Sequence, residues 1–199
     1  MKKQLLTAVL MTMVTTVLLG LVYPLVLTGI AELRFPAKAN GSLLQKNGKT
    51  IGSRLIGQPF TGPGYFHSRP STAGDAGYDP RASGGSYLGP TNQKLISRVE
   101  ADVARLKAEH PDAPVPVDLI TTSASGLDPD ISPAAAEFQI SRVARERNLS
   151  PDEVRRLVEQ HTTPRDLVLL GEPRVNVLEL NLALDEKAGR GTAGSQRQP

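Results

Sequence analysis

The sequence predicts a single N-terminal transmembrane α-helix followed by one mixed α/β domain with a loop-rich layer of glycine and proline. Three observations support this fold class. Residues 5–31 carry no charged side chain, residues 57–92 are dense in Gly and Pro yet rich in aromatic rings, and three later segments repeat apolar residues at helical spacing. A chain of 199 residues has room for one anchor and one domain of ordinary size.

The uncharged run is long enough to cross a bilayer. As a helix, residues 5–31 would span about 40 Å, more than the roughly 30 Å hydrocarbon core, whereas the apolar part of a secretory signal has only about 7–15 residues. The Ala-Lys-Ala at 37–39 has the form of a signal-peptidase site, so a secreted binding protein cleaved after Ala39 is an alternative. We expect a retained anchor, because the run is overlong and charged residues and Pro36 intervene.

The predicted boundaries follow from this helix. A cytoplasmic N-terminus occupies residues 1–4, the transmembrane helix 5–31, the domain 32–187 and a disordered tail 188–199. Lys2 and Lys3 favour an N-terminus inside the cell, although charge alone only weakly orients a chain with so long a following segment.

Small residues or proline recur at every fourth position of the anchor. In lipid, such a row lets two helix backbones approach closely, and threonines can hydrogen bond across the contact. The row drifts by about 40° per step around a regular α-helix, so a partner helix would cross at an angle. Small residues are also common in membrane helices without such a role. The predicted packing seam comprises Ala8, Thr12, Thr16, Gly20, Pro24 and Thr28.

The layer at 57–92 has the composition of a disordered linker but not its aromatic content. It holds five of the eight Phe and Tyr residues of the chain, whereas disordered segments are poor in aromatics. We therefore predict an ordered layer held by its rings, which are Phe60, Tyr65, Phe66, Tyr78 and Tyr87.

The rest of the domain has clear helix signals and two short extended candidates. Asn92 caps a predicted helix to residue 109, Ser132-Pro133 starts a second that stops near Asn148, and Ser150 starts a third with Glu153 completing a capping box. Residues 115–120 predict a strand. Residues 174–185 fit a strand or a helix capped by Asn176, and we favour the helix.

Complete catalytic motifs are missing from the sequence. The sequence contains only part of a phosphate-loop motif and only part of a G-x-S-x-G motif. The D-K-T-G motif of P-type ATPases is absent. A membrane-anchored serine hydrolase would need Ser123 or Ser125 beside His67, with Asp128 orienting the histidine. The alternative is a loop histidine that donates to a backbone carbonyl, in a segment where Asp128, Asp130 and Ser132 serve turns and a helix cap.

Other classes of function find little support. Cysteine is absent, which removes disulfides and thiolate metal sites, and the histidines show no metal-ligand spacing. Apart from Lys2 and Lys3, basic residues nearly balance the 20 acidic ones and form no block, which argues against nucleic-acid binding.

Several long motifs together resemble the C subunit of the bacterial high-affinity potassium-transporting ATPase, the Kdp system. The resemblance covers the chain to about residue 186, apart from the variable loop at 101–116 and the polar tail. Its motifs are "YFHSRPS" (65–71), "GGSYLGPTN" (84–92), "TTSASGLDPDISPAAA" (121–136), "QISRVARERN" (139–148) and "GEPRVNVLELNLALD" (171–185).

The resemblance implies a non-catalytic inner-membrane subunit with its N-terminus inside and its domain outside the cytoplasmic membrane. Its implied partners are a channel-like potassium-translocating subunit, a P-type ATP-hydrolysing subunit and a small single-helix subunit. The complex would handle ATP and potassium, and this subunit would act as a catalytic chaperone that raises the ATP affinity of the hydrolysing subunit. No nucleotide-binding residue, catalytic residue or metal ligand is identified here. The candidate partner-surface residues are Tyr65, Phe66, His67, Arg69 and Tyr87.

Overall fold

The computed structural model describes residues 1–46 and 48–195, with side chains described up to Lys187. The chain divides into two compact units, Met1–Ser53 and Arg54–Pro199. The mixed helix-and-strand composition predicted for the chain is confirmed.

The first unit contains one long apolar helix. It runs as α1 (Lys2–Val17), a π-helical turn (Leu18–Val22) and α2 (Tyr23–Arg34). By length and composition, this continuous helix of 33 residues could cross a membrane, as the sequence predicts. A short helix α3 (Pro36–Ala39) and an antiparallel hairpin of β1 (Leu43–Lys46) and β2 (Lys49–Ser53) follow.

The π turn corrects the assumption of a regular α-helix. Pro24 lacks an N–H group and its ring would clash with the carbonyl four residues earlier, at Gly20. The wider turn accommodates it, and the Tyr23 N–H donates to the Leu18 carbonyl, five residues back. Four residues make slightly more than one full turn of an α-helix but slightly less than one turn of a π-helix. The small-residue row therefore rotates around the helix axis in one direction in α1 and α2 and in the opposite direction within the π turn near Gly20.

Among its described residues, the second unit contains four α-helices and a three-stranded antiparallel sheet of order β3-β5-β4. The helices are α4 (Gln93–Glu109), α5 (Pro133–Arg147), α6 (Pro151–Gln160) and α7 (Val177–Ser195), and the strands are β3 (Asp130–Ile131), β4 (Thr162–Thr163) and β5 (Arg174–Asn176). Helix α5 packs against α6 and β5, and α7 against α6 and β5. The largest fully buried apolar side chains of this core are Phe66, Ile140, Leu180, Leu184, Val143, Val154, Val175 and Val177.

The predicted helix starts are confirmed at the level of individual hydrogen bonds. The Asn92 side chain accepts from the Lys94 N–H at 2.9 Å, and Ser132 accepts from the Ala135 N–H at 3.1 Å. Ser150 and Glu153 form the reciprocal capping box. Each cap is a contact between residues two or three positions apart, which explains why the sequence alone reveals it.

The strand predicted at 115–120 is wrong. Residues Val117–Leu119 form a 3-10 turn in which the Ile120 N–H donates to the Val117 carbonyl. The prolines at 114 and 116 remove two backbone donors that a sheet would use. The apolar residues therefore serve a turn: Leu119 is buried in the core, Val115 and Ile120 pack against it while partly buried, and Val117 is 64% exposed.

The ambiguous segment 174–185 contains both predicted states in succession. Strand β5 ends at Asn176, whose side-chain oxygen accepts from the Glu179 N–H at 3.2 Å and so caps α7. Helix α7 continues to Ser195, through most of the stretch expected to be a disordered tail, and residues 196–199 lie outside the described residues.

A helix-clamped loop as the candidate partner surface

Residues 63–67 form a loop that begins in a turn, where the Tyr65 N–H donates to the Gly62 carbonyl at 3.1 Å. Its carbonyls are held by side chains of α5 and α7 instead of by a neighbouring strand. All five carbonyls in this stretch accept a hydrogen bond from a helix side chain. Arg142 donates to Pro63 and Tyr65, Arg147 to Gly64, Asn181 to Phe66 and Gln139 to His67. Satisfied in this way, the peptide groups can lie against the core without a sheet ladder.

Two amide side chains hold this loop from both directions. The Asn181 oxygen accepts from the Phe66 N–H at 2.9 Å, while its NH2 donates to the Phe66 carbonyl at 2.9 Å. Gln139 repeats the pattern at His67, accepting at 2.7 Å and donating at 3.1 Å. Both amides are buried, and we call the pair the amide clamp. A primary amide suits this role because it carries a donor and an acceptor side by side.

Two arginines extend the amide clamp to the preceding residues. The Arg142 side chain is 10% exposed, and burial lowers the pKa of its guanidinium while Glu109 acts in the opposite sense. Its Nε lies 3.4 Å from a Glu109 oxygen, close enough for ion-pair attraction but without hydrogen-bond alignment. Arg147 pairs with Asp185 at 2.9 Å and lies 4.3 Å from the centre of the Tyr65 ring.

The candidate surface residues divide into three groups. Phe66 is fully buried, so its ring belongs to the core and is left out of the surface proposed below. Tyr65, His67 and Arg69 are half-buried. Tyr87 is 89% exposed and adopts a positive φ of 51°, which is uncommon for a residue with a Cβ atom.

The geometry around His67 matches the loop-histidine hypothesis. Its Nε2 lies 3.0 Å from the Gly62 carbonyl oxygen. Burial, and then the charge of Arg142, lower the pKa of His67 below its ordinary value of 6.5. Ser125 accepts from the Leu127 N–H and lies 3.4 Å from the Ser123 hydroxyl. Within the described part of the chain, no hydrogen bond joins either serine to His67, so the arrangement of a hydrolase is not formed.

The polar residues at 121–132 are engaged in turns, as predicted. Asp128 accepts from the Asp130 N–H at 3.1 Å, and Gly126 has a positive φ of 66°. A Cβ atom at Gly126 would lie 2.9 Å from the Ala73 N–H nitrogen, so the close approach of two backbones also requires glycine. Burial raises the pKa of Asp130.

Arg69 links the layer at 57–92, to which it belongs, to the polar segment at 121–132. Its guanidinium lies 3.1 Å from the Asp128 carboxylate and donates to the Thr121 carbonyl, and the Tyr78 hydroxyl donates to the carbonyl of Arg69 itself. Beside it lies an open groove of about 340 Å³. Its polar lining residues are Gln58, Thr61, His67, Ser68, Arg69, Ser71, Tyr78 and Arg105.

Sequence reasoning missed residues that build this region, which are Gln139, Arg142, Asn181, Arg147 and Arg105. A usable signal existed for the first three. Gln139 and Arg142 interrupt the apolar face of α5, and Asn181 lies between leucines in α7. A polar residue on an otherwise apolar helix face must find a partner, because an unpaired buried polar group is costly. Among the side chains that the structure describes, no group of three or more acidic or histidine residues could hold a metal ion.

Comparison with known proteins shows a match over almost the whole chain. The family model described as "K+-transporting ATPase, c chain" matches residues 5–186. A potassium-transporting ATPase KdpC subunit of Koribacter versatilis is 65% identical over 185 residues, which cover 93% of this chain and 95% of the relative. The subunits of the same name from Acidobacterium capsulatum and Bradyrhizobium diazoefficiens are 59% and 54% identical, covering 90% and 96% of this chain and 96% and 100% of those relatives.

Proposed function

This chain belongs to the KdpC family, the c chains of the K+-transporting ATPase, and from that premise we propose that it is a non-catalytic accessory subunit which raises the ATP affinity of the hydrolysing subunit. In this proposal, the complex also contains a channel-like potassium-translocating subunit and a small single-helix subunit. ATP and potassium are handled by the complex, and this chain carries no catalytic residue of its own.

The observation that carries the non-catalytic role is the structural use of the candidate catalytic groups. His67 contacts the Gly62 carbonyl, Ser125 accepts from a backbone N–H, and Asp128 pairs with Arg69. A nucleophile needs an adjacent base that is itself oriented by a third group. These contacts instead stabilise the loops, which supports a binding role over a hydrolase.

The effect on ATP affinity is indirect in this proposal. With residues 32–187 outside the cytoplasmic membrane, the domain cannot touch cytoplasmic ATP. The influence then takes the form of a coupling free energy between subunits, typically about 1–3 kcal/mol or roughly 5–150-fold in affinity.

The direct test compares the complex with and without this chain. ATP hydrolysis by purified complex is measured across ATP concentrations, and we expect a KM for ATP roughly fivefold or more lower when the chain is present. The isolated chain, assayed at the same protein concentration, is the control and should not hydrolyse ATP. An unchanged KM would contradict the chaperone role, and hydrolysis by the isolated chain would contradict the non-catalytic role.

The proposed orientation can be tested because the chain has no cysteine. Ala124 is exposed in the second unit, so an Ala124→Cys variant should react with a membrane-impermeant maleimide added to spheroplasts. Gln4→Cys is the matched control and should react only after the membrane is permeabilised. Labelling in the reverse order would refute the orientation. The mass of the mature chain distinguishes a retained N-terminal helix from cleavage after Ala39.

We propose two partner surfaces, one in each unit. In the second unit, the surface comprises Tyr87 and the half-buried residues Tyr65, His67 and Arg69. Aromatic and arginine side chains are favoured at interface centres. In the first unit, the row Ala8, Thr12, Thr16, Gly20, Pro24 and Thr28 packs against a helix of another subunit. The row is exposed on the described helix, which leaves it free for that contact.

A further inference from the structure

A projecting hairpin in the second unit exposes four consecutive aliphatic side chains. Leu167, Val168 and Leu169 are 83%, 82% and 82% exposed, and Leu170 is 59% exposed. Among the described residues of this unit, the other exposed large apolar side chains lie singly along the sequence. Isolated exposed leucines are ordinary on protein surfaces, whereas a contiguous apolar patch marks an interaction site. We call residues 167–170 the apolar tip.

The hairpin that carries the apolar tip is well defined. It continues the antiparallel pair β4–β5, in which Thr163 pairs with Arg174. Asp166 and Leu170 then exchange two backbone hydrogen bonds of 2.8 Å, which close a loop of three residues. At its base, the Arg165 and Glu172 side chains form an ion pair of 2.6 Å. The apolar residues are therefore presented on a paired backbone.

The backbone of the apolar tip is strained. Leu167 has a φ of 51° and Val168 a φ of 69°, both in the left-handed region. Such a conformation is uncommon for side chains other than Gly, Asn and Asp, and it is a clear outlier for a β-branched valine. Residues held in this way cluster at binding and switching segments. The two residues in this conformation, Leu167 and Val168, are also among the most exposed aliphatic residues of the unit.

We propose that the apolar tip inserts into an apolar socket on another subunit of the potassium-transporting complex. This inference rests on the proposed function, which makes the chain one subunit among several. A socket of aliphatic and aromatic side chains would bury Leu167, Val168 and Leu169. Its rim would meet the charged base of the hairpin with both hydrogen-bond donors and acceptors.

The charges at the base favour a protein socket over the lipid bilayer. Arg165 pairs with Glu172 and Arg174 lies 3.6 Å from Asp166, so two positive charges are matched by two carboxylates. Attachment to anionic lipid requires an excess of basic residues, and membrane interfaces favour Trp and Tyr, which the hairpin lacks. A fixed strained shape also suits a fixed socket, whereas fluid acyl chains select no particular backbone conformation.

The first test identifies what covers the apolar tip in the assembled complex. A benzophenone amino acid is incorporated in place of Leu169, the whole complex is purified through a tag on the hydrolysing subunit, and the sample is irradiated. We expect an adduct with another subunit, identified by peptide mass. An adduct with lipid, an adduct with a second copy of this chain, or no adduct would each overturn the proposal.

The second test measures the contribution of the apolar tip to assembly. Removing a buried leucine side chain corresponds to about a tenfold change in an association constant. A chain carrying both Leu167→Ser and Leu169→Ser should therefore bind the remaining subunits at least about tenfold more weakly in a dilution series. Val117→Ser, at an aliphatic residue 64% exposed and distant in sequence, is the control and should bind like the parent. Equal binding by all three chains would overturn the proposal.

These outcomes separate the inference from the function on which it rests. A parent chain that does not co-purify with the other subunits would overturn both. A parent chain that co-purifies, accompanied by a double variant that binds equally well, would overturn the role of the apolar tip alone. Because both substituted leucines face solvent in the chain itself, the urea unfolding curve of the double variant should match that of the parent.

Discussion

Replacing Asn181 with leucine tests whether the amide clamp holds the loop at 63–67. Asn181 is 1% exposed and contacts both the N–H and the carbonyl of Phe66 at 2.9 Å. Leucine has a similar size and branching, so Asn181→Leu removes the hydrogen bonds without opening a large cavity. The perturbation therefore acts on two named backbone groups.

The expected loss follows from those two groups. Phe66 is fully buried, so water cannot replace the lost amide without moving the loop. Each buried backbone group left without a partner costs about 1–3 kcal/mol. Two of them should lower the free energy of unfolding by about 2–6 kcal/mol, a large part of the 5–15 kcal/mol typical of a domain.

Urea unfolding of the full-length chain in detergent micelles, followed by far-ultraviolet circular dichroism, measures this change. Gln93→Leu is the matched control, because it also replaces a primary amide with leucine but at an exposed position of α4. We expect the control to shift the free energy of unfolding by no more than about 0.5 kcal/mol.

A result within about 0.5 kcal/mol of the parent for Asn181→Leu would refute the reasoning. It would mean that the Phe66 peptide groups find other partners, or that the loop contributes little to the stability of the unit. A loss near 1 kcal/mol would show that only one of the two groups depends on Asn181.

Three further outcomes are expected. Gly20→Leu should reduce recovery of the complex, whereas Leu19→Ile should not. Apart from the neighbouring backbone of its own helix, a Cβ atom at Gly20 would have its nearest contact at 4.0 Å, with the Thr16 methyl group, so the helix itself has room for the larger residue. Equal recovery of the two variants would therefore show that the small-residue row is not a seam. Tyr87→Ala should leave the unfolding curve unchanged and weaken assembly, at a cost of about 2 kcal/mol if the ring lies at an interface centre; normal assembly in pull-down titrations would place the surface elsewhere. His67→Gln should reduce the loss of stability on acidification. Because the pKa of His67 in the fold lies below 6.5, the unfolded chain binds the proton first, and the stabilisation present above pH 6.5 is lost as the pH falls below that value; equal losses for parent and variant between pH 7.5 and 5 would contradict this.

The part of the fold that the sequence predicts is local. The caps at Asn92, Ser132 and Ser150 each connect residues two or three positions apart, and they begin their helices where expected. The long apolar helix follows from the same kind of information, since a charge-free run of this length has one main structural solution. The prediction failed at 115–120, because strand propensity requires a neighbouring strand and that segment has none in the described sheets.

The site depends on contacts that no local pattern specifies. The burial of Phe66 and the role of Asn181 depend on each other across 115 residues of sequence, and His67 and Gln139 across 72. The exposure of Leu167 and its neighbours also depends on the tertiary structure, because an apolar run in the sequence does not show whether it lines a core or projects from a hairpin.

The sequence by itself thus determined the long apolar helix, the helix starts and, through its long motifs, the family resemblance. The tertiary structure alone decided which rings are core, which polar residues hold the loop, and which apolar residues face solvent. The physical reason is the range of the interactions. Helix caps and a long apolar helix satisfy backbone groups within one segment. The burial of an amide or the exposure of a hairpin tip depends instead on which distant residues pack beside it.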